Sequence, residues 1–109
     1  MSIPHALSGQ PIAVSAFGAA LAEQRTVALF KSDQLEVIRL VLAAGKSMPM
    51  HKVSGEITIQ CIEGTLEVGV NGDSTLLQAG QLMFLLGEVP HSVTARTPAS
   101  ALVTIVLQH

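Results

Sequence analysis

LEVGVNGDSTLLQ (66–78) decides the fold of this chain. Leu66, Val68 and Val70 alternate with polar or small residues, as a half-buried strand requires. Asn71-Gly72 follows, and both residues tolerate the positive φ of a tight type I′ turn. STLLQ (74–78) then returns antiparallel. A strand, a two-residue turn and a second strand make a β-hairpin.

The pattern continues on either side. Downstream, Ala79-Gly80 turns into QLMFLL (81–86), Gly87-Glu88-Val89-Pro90 forms a loop, and HSVTAR (91–96) and ALVTIVL (101–107) are further strands separated by Thr97-Pro98. Upstream, EITIQCIE (56–63) is rich in β-formers and ends at Gly64, Ala44-Gly45-Lys46 breaks the chain, and TVALF (26–30) and LEVIRLVLA (35–43) flank a polar turn at Lys31–Gln34. LEVIRLVLA is largely apolar on both faces, with Leu35, Val37 and Val41 on one and Ile38, Leu40 and Leu42 on the other. A strand buried on both sides reads this way, and the second face is the best candidate for cover by a partner subunit. Many short strands joined by glycine-marked turns, with no long helix, indicate an antiparallel sandwich or closed barrel. Connections this short exclude parallel crossovers. Residues 1–24 are expected to form an N-terminal arm, with a short helix or strand within 12–23, and residues 25–109 a single barrel domain.

Composition narrows the function. The 109 residues are 49% hydrophobic and 13% charged, with a net charge of -2. A small domain cannot hide that much apolar surface alone, so a homodimer is expected. The six basic residues are scattered and the chain has no Trp or Tyr, which argues against nucleic-acid binding. The apolar runs are too short to cross a membrane as helices. The lone Cys61 excludes an internal disulfide and a multi-cysteine zinc motif. With no secretory signal at the start, a cytoplasmic location is expected.

Chemistry-bearing residues are few. His5 and His109 are terminal. His51 and His91 each stand where a glycine- or proline-marked loop meets a strand, the place where a barrel rim holds ligands. The stretch from Gly45 to Ala95 resembles the two motifs of the cupin superfamily. Gly45, five residues, His51 and, in register, Gly64 fit the first motif. Gly80 and His91, within Val89-Pro90-His91, fit the second. The resemblance implies a small RmlC-like jelly-roll barrel and, in its typical members, a divalent metal held by three His and one Glu. Here Val53 replaces the second histidine and Ile57 stands at the glutamate position. Leu86, Glu88 and Ala95 replace the second motif's proline, glycine and asparagine. His51 and His91 alone match cleanly.

Two imidazoles hold Zn, Fe, Mn or Ni weakly, and a third protein ligand is normally needed. Glu56, Thr58 and Gln60 share one face of their strand, while Ile57, Ile59 and Cys61 share the other. If the first face looks inward, Glu56 or Gln60 completes a metal set. If the second does, the nearby side chain is Cys61 in a dry pocket. Met48, Met50, Met83 and Phe84 are expected to line or pack that pocket. Three functions follow: a metal-dependent enzyme such as an oxygenase, a non-catalytic module that binds or senses a small ligand or metal, and a metal-free isomerase with a histidine base. For the first of these, the cavity would favour a small, fairly apolar molecule.

Overall fold

The computed structural model describes residues 6–107, with residues 49–51 described by their backbone alone. Nine strands follow a short 3-10 helix at Gly18–Glu23: β1 Val27–Lys31, β2 Leu35–Leu42, β3 Ser47–His51, β4 Ile57–Glu63, β5 Thr65–Val70, β6 Asp73–Gln78, β7 Leu82–Leu85, β8 His91–Ala95 and β9 Ala99–Val106. They form a five-stranded sheet, β1-β2-β9-β4-β7, and a four-stranded sheet, β3-β8-β5-β6. Every pairing is antiparallel. This is the all-β jelly-roll arrangement expected, with one difference: the hydrogen-bonded ladder does not close into a single barrel, and two sheets face each other instead.

The deciding hairpin forms as read. Val70 pairs with Asp73 across Asn71 and Gly72, whose φ angles of 53° and 84° are those of a primed turn. Gly64, between β4 and β5, has φ 79°, and a Cβ there would collide with the Pro98 carbonyl. Only glycine fits that corner.

β3 escapes the sequence reading, which takes residues 45–50 as a loop because Pro49 lies among them. Proline cannot donate to a ladder, but it is tolerated on an edge strand or at a bulge. β3 is both: it ends its sheet, and its register against β8 shifts between Met48 and His51. The 12–23 segment is helical only over Gly18–Glu23, as a 3-10 helix with no buried residue.

The core lies between the sheets. Ile59, Cys61, Ala99 and Ala101 of the five-stranded sheet meet Leu66, Val68, Val93 and Ala95 of the other, all nearly inaccessible to water. Both faces of β2 are covered, but by this chain. Leu40 joins the core, so the face that was expected to meet a partner looks inward. On the outer side, Val37 and Arg39 are buried, and the segment before the 3-10 helix covers Arg39. The Arg39 guanidinium lies 4.2 Å from the centre of the Phe17 ring, and its Nη2 donates to the Ser15 carbonyl at 2.8 Å.

Candidate functional site

Strand alternation decides which side chains can meet between the sheets. In β4 the buried set is Ile57, Ile59 and Cys61, and the intervening residues point away. Ile57 pairs with Ile105 and Ile59 with Val103 on β9, and Val103 pairs in turn with Ile38 on β2. Side chains directly opposite in a ladder share a face. One wall is therefore hydrocarbon, contributed by three neighbouring strands.

The opposite wall comes from Met48 on β3 and from His91 and Val93 on β8. Together with Leu40, Val53 and Thr26, these residues enclose a cavity of about 90 Å³. That is well below the ~300 Å³ at which drug-sized pockets begin, and above the 10–15 Å³ that a single water needs. It fits a small molecule, or the apolar end of a larger one.

Two polar side chains reach the lining. Thr26 is engaged with backbone: its Oγ1 donates to the Val41 carbonyl at 3.2 Å and accepts the Val41 N–H at 2.9 Å. His91 is 3% exposed, and its Nδ1 lies 3.0 Å from the Val89 carbonyl. A carbonyl only accepts, so this contact sets the neutral ring in the Nδ1–H tautomer and makes Nε2 the lone-pair nitrogen.

His51 is opposite His91 in the β3–β8 register. The backbone thus brings the two histidine positions together from distant parts of the sequence. The His51 and Met50 side chains lie outside the described residues. The other expected site residues divide. Glu56 and Gln60 are exposed, on the side of β4 away from the cavity, because a face is fixed by parity and a one-residue difference reverses it. Neither can join His91 as a ligand there. Cys61 is inward and fully buried, but it sits in the packed core beyond the cavity. Its Sγ lies within 3.5 Å of the Glu63 and Gly64 carbonyls, and burial pushes its pKa up, with the Glu63 charge adding to that and the backbone contact opposing it. Met83 packs against the core without reaching the cavity. Phe84 points outward and is 55% exposed. Of the expected methionine lining, Met48 is in place.

The residues that build the cavity were missed as a set, although two carried a signal. Val53 and Ile57 occupy the motif positions where the resemblance implied a histidine and a glutamate. Both line the same cavity as His91. The motif register is therefore correct in space, and hydrocarbon fills two ligand positions. Among the described residues no three His, Cys, Asp or Glu side chains stand close enough to hold a metal ion.

The comparisons agree with this architecture. The Cupin domain family model matches residues 38–106. The chain belongs to the cupin superfamily. A cupin superfamily protein from Desulfitobacterium hafniense superposes with a TM-score of 0.74 at 14% identity, over 76% of each chain. An RmlC-like cupin from Desulfovibrio desulfuricans gives 0.69 at 24% identity, over 97% of each. A salicylate 1,2-dioxygenase from Pseudaminobacter salicylatoxidans gives 0.63 at 26% identity, over 66% of this cupin but 21% of the larger enzyme. No curated protein matches in sequence. No described helix is long and apolar enough to cross a membrane.

A second polar cluster lies on the outer side of the five-stranded sheet. Arg39 Nη2 donates to Ser100 Oγ at 3.1 Å and meets Glu63 Oε2 at 3.5 Å. Ser100 Oγ donates to Glu63 Oε2 at 2.5 Å. The Phe17 and Gly18 N–H groups donate to the two oxygens of the same carboxylate, at 3.0 and 3.1 Å. Partial burial pulls the Glu63 carboxyl upward. The Ser100 hydroxyl, the two N–H donors and the Arg39 charge outweigh that and hold it below its usual range. This clasp ties the N-terminal segment to β2, β4 and β9.

Proposed function

We propose that this cupin is a non-catalytic small-ligand binding module whose cavity takes a small, predominantly apolar molecule. The observation that carries this reading is the lining: among the described residues, nine hydrocarbon or thioether side chains, with His91 and an engaged Thr26 as the polar members. Such a wall rewards burial of a methyl, isopropyl or ring-sized group at about 25 cal/mol per Å². A single imidazole orients a ligand that carries one hydrogen-bonding group. The oxygenase and metal-sensing alternatives need a richer donor set than the described residues supply. A histidine-based isomerase would need a partner acid, and no acidic side chain is among the described residues that line the cavity.

The test uses isotope-labelled protein purified without added metal, titrated separately with benzene, phenol and isobutanol and followed by NMR. Saturable shifts clustered on Ile57, Ile59, Val93 and Val103 are expected. They should disappear in Val103→Met, which fills the cavity with little change in polarity. Stoichiometric Fe, Mn, Zn or Ni in the purified protein, lost in His91→Ala, would replace this reading with a metal centre.

A further inference from the structure

The segment from Ser15 to Thr26 leaves the five-stranded sheet and returns to the same strand. At its start, the Ser15 carbonyl accepts from Arg39, and the Phe17 ring lies over that guanidinium. At its end, Thr26 Oγ1 accepts the Val41 N–H and donates to the Val41 carbonyl. The next residue, Val27, pairs with Arg39 itself. Both anchors therefore fall within the stretch Arg39 to Val41 of β2. Loops closed in this way open as local cooperative units.

Little holds the loop between its anchors. Its 3-10 helix has no buried residue. A hollow of about 180 Å³ lies between Leu21, Ala22 and Gln24 of the loop and Val41, Leu42 and Ala43 around the end of β2. The clasped state also carries a cost. Arg39 Nε is buried without a hydrogen-bond partner among the described residues. Lifting the loop returns this donor to water, which offsets part of what the clasp gains.

The far anchor belongs to the cavity. Thr26 lines it and is the one exposed residue among the described lining, so it stands at the mouth. We propose that Arg39 is a positioning residue for the cavity: through the Ser15–Thr26 loop it holds Thr26 at the mouth, and release of the loop lets the ligand in and out. This rests on the ligand-binding reading above and adds how that site is controlled. Arg39 sits between Ile38 and Leu40, which line the cavity, but does not line it itself. The clasp therefore sets the rate of exchange and leaves affinity alone, because a gate that opens alike for the free and the bound protein changes both rates together.

Two measurements on the full chain test this. Phe17→Ala opens the loop from its own side and Arg39→Met from the sheet, and circular dichroism checks that both variants are folded. Amide hydrogen exchange should quicken about tenfold at Gly18 and Val41 relative to Ile59, within the β4 ladder. In NMR line-shape titrations with isobutanol and phenol, association and dissociation rates should both rise about tenfold, while the dissociation constant stays within about twofold. Thr26→Val removes the far anchor with little change in bulk. It should reproduce the faster ligand exchange, and combining it with Arg39→Met should add nothing further. Unchanged protection of Val41 when Gly18 is freed overturns the proposal, as do ligand rates that stay at wild-type values or effects of the two changes that simply add. If neither probe binds wild type, the ligand-binding reading fails by itself, and Val41 exchange still decides whether the clasp holds Thr26.

Discussion

The two faces of the five-stranded sheet solve opposite problems with the same strands. Its inner face is hydrocarbon from Ile38 to Ile105 and keeps one imidazole in view. Its outer face binds the N-terminal segment with an arginine, a glutamate and a serine, then gives way to the exposed Leu82 and Phe84 at β7. Alternate residues of β4 serve the two sides: Ile59 and Cys61 inward, Glu63 outward after a shift in register between Cys61 and Glu63. That irregularity frees Glu63 to join the clasp. A sheet can therefore carry an apolar site and a polar fastening back to back, provided that parity keeps them apart.

The contrast can be broken most forcefully from the inner side. Ile59→Ala should lower unfolding free energy by about 3 kcal/mol in urea denaturation, since it removes a fully buried side chain and enlarges an existing void. Its neighbour Thr58→Ala, on the outer face, should stay within about 0.5 kcal/mol of wild type. Equal costs would mean that the faces have been assigned the wrong way round.

The outer clasp comes next. Arg39→Met keeps the bulk but strips the charge from Glu63 and leaves the Ser15 carbonyl without its donor. A loss of about 2 kcal/mol is expected, less than for a fully sealed pair because the Glu63 side chain is 14% exposed. Limited proteolysis within residues 6–17 should quicken at the same time. A variant as stable and as resistant as wild type would show that the clasp does not hold the segment.

A smaller effect separates the faces by pH. The folded-state pKa of Glu63 is lowered relative to the unfolded chain. Its contribution is thus complete above the unfolded value and is lost as pH falls through the folded one. Glu63→Gln should flatten the acid limb of the stability profile, whereas Ile59→Ala should shift the whole profile down without changing its shape. Parallel acid limbs in wild type and Glu63→Gln would sink this assignment.

The smallest change concerns the loop at the cavity rim. Glu88 holds φ at 66°, and its ion pair with Lys52, 3.6 Å long, joins two exposed side chains. Relief of left-handed strain outweighs the loss of such a pair. Glu88→Gly is expected to stabilise the protein by up to about 1 kcal/mol in thermal denaturation, and a net loss would mean that the ion pair matters more than the backbone.

Much of this was legible in the residues. The Asn71-Gly72 turn, the alternation in β4 and β5 and the glycine-marked corners announced an antiparallel jelly roll. The motif spacing placed His91 and the backbone of His51 in register. β3 stayed hidden because a proline that excludes a central strand is acceptable on an edge, and one sequence does not say which strand is the edge. Glu56 and Gln60 were drawn toward the site by their chemistry, while parity depended on a register that the loop after His51 left open. The clasp was harder still. Arg39, Glu63 and Ser100 are far apart in sequence and become neighbours only through the order β2-β9-β4.

Cys61 has one more consequence. Sealed in the core, with its ionisation suppressed, the single native thiol leaves the surface chemically blank toward maleimides. A cysteine introduced at the hairpin tip, as in Asp73→Cys, would then accept one spin or fluorescent label without first removing a core residue. The molecule is thus ready for site-directed labelling with its interior untouched.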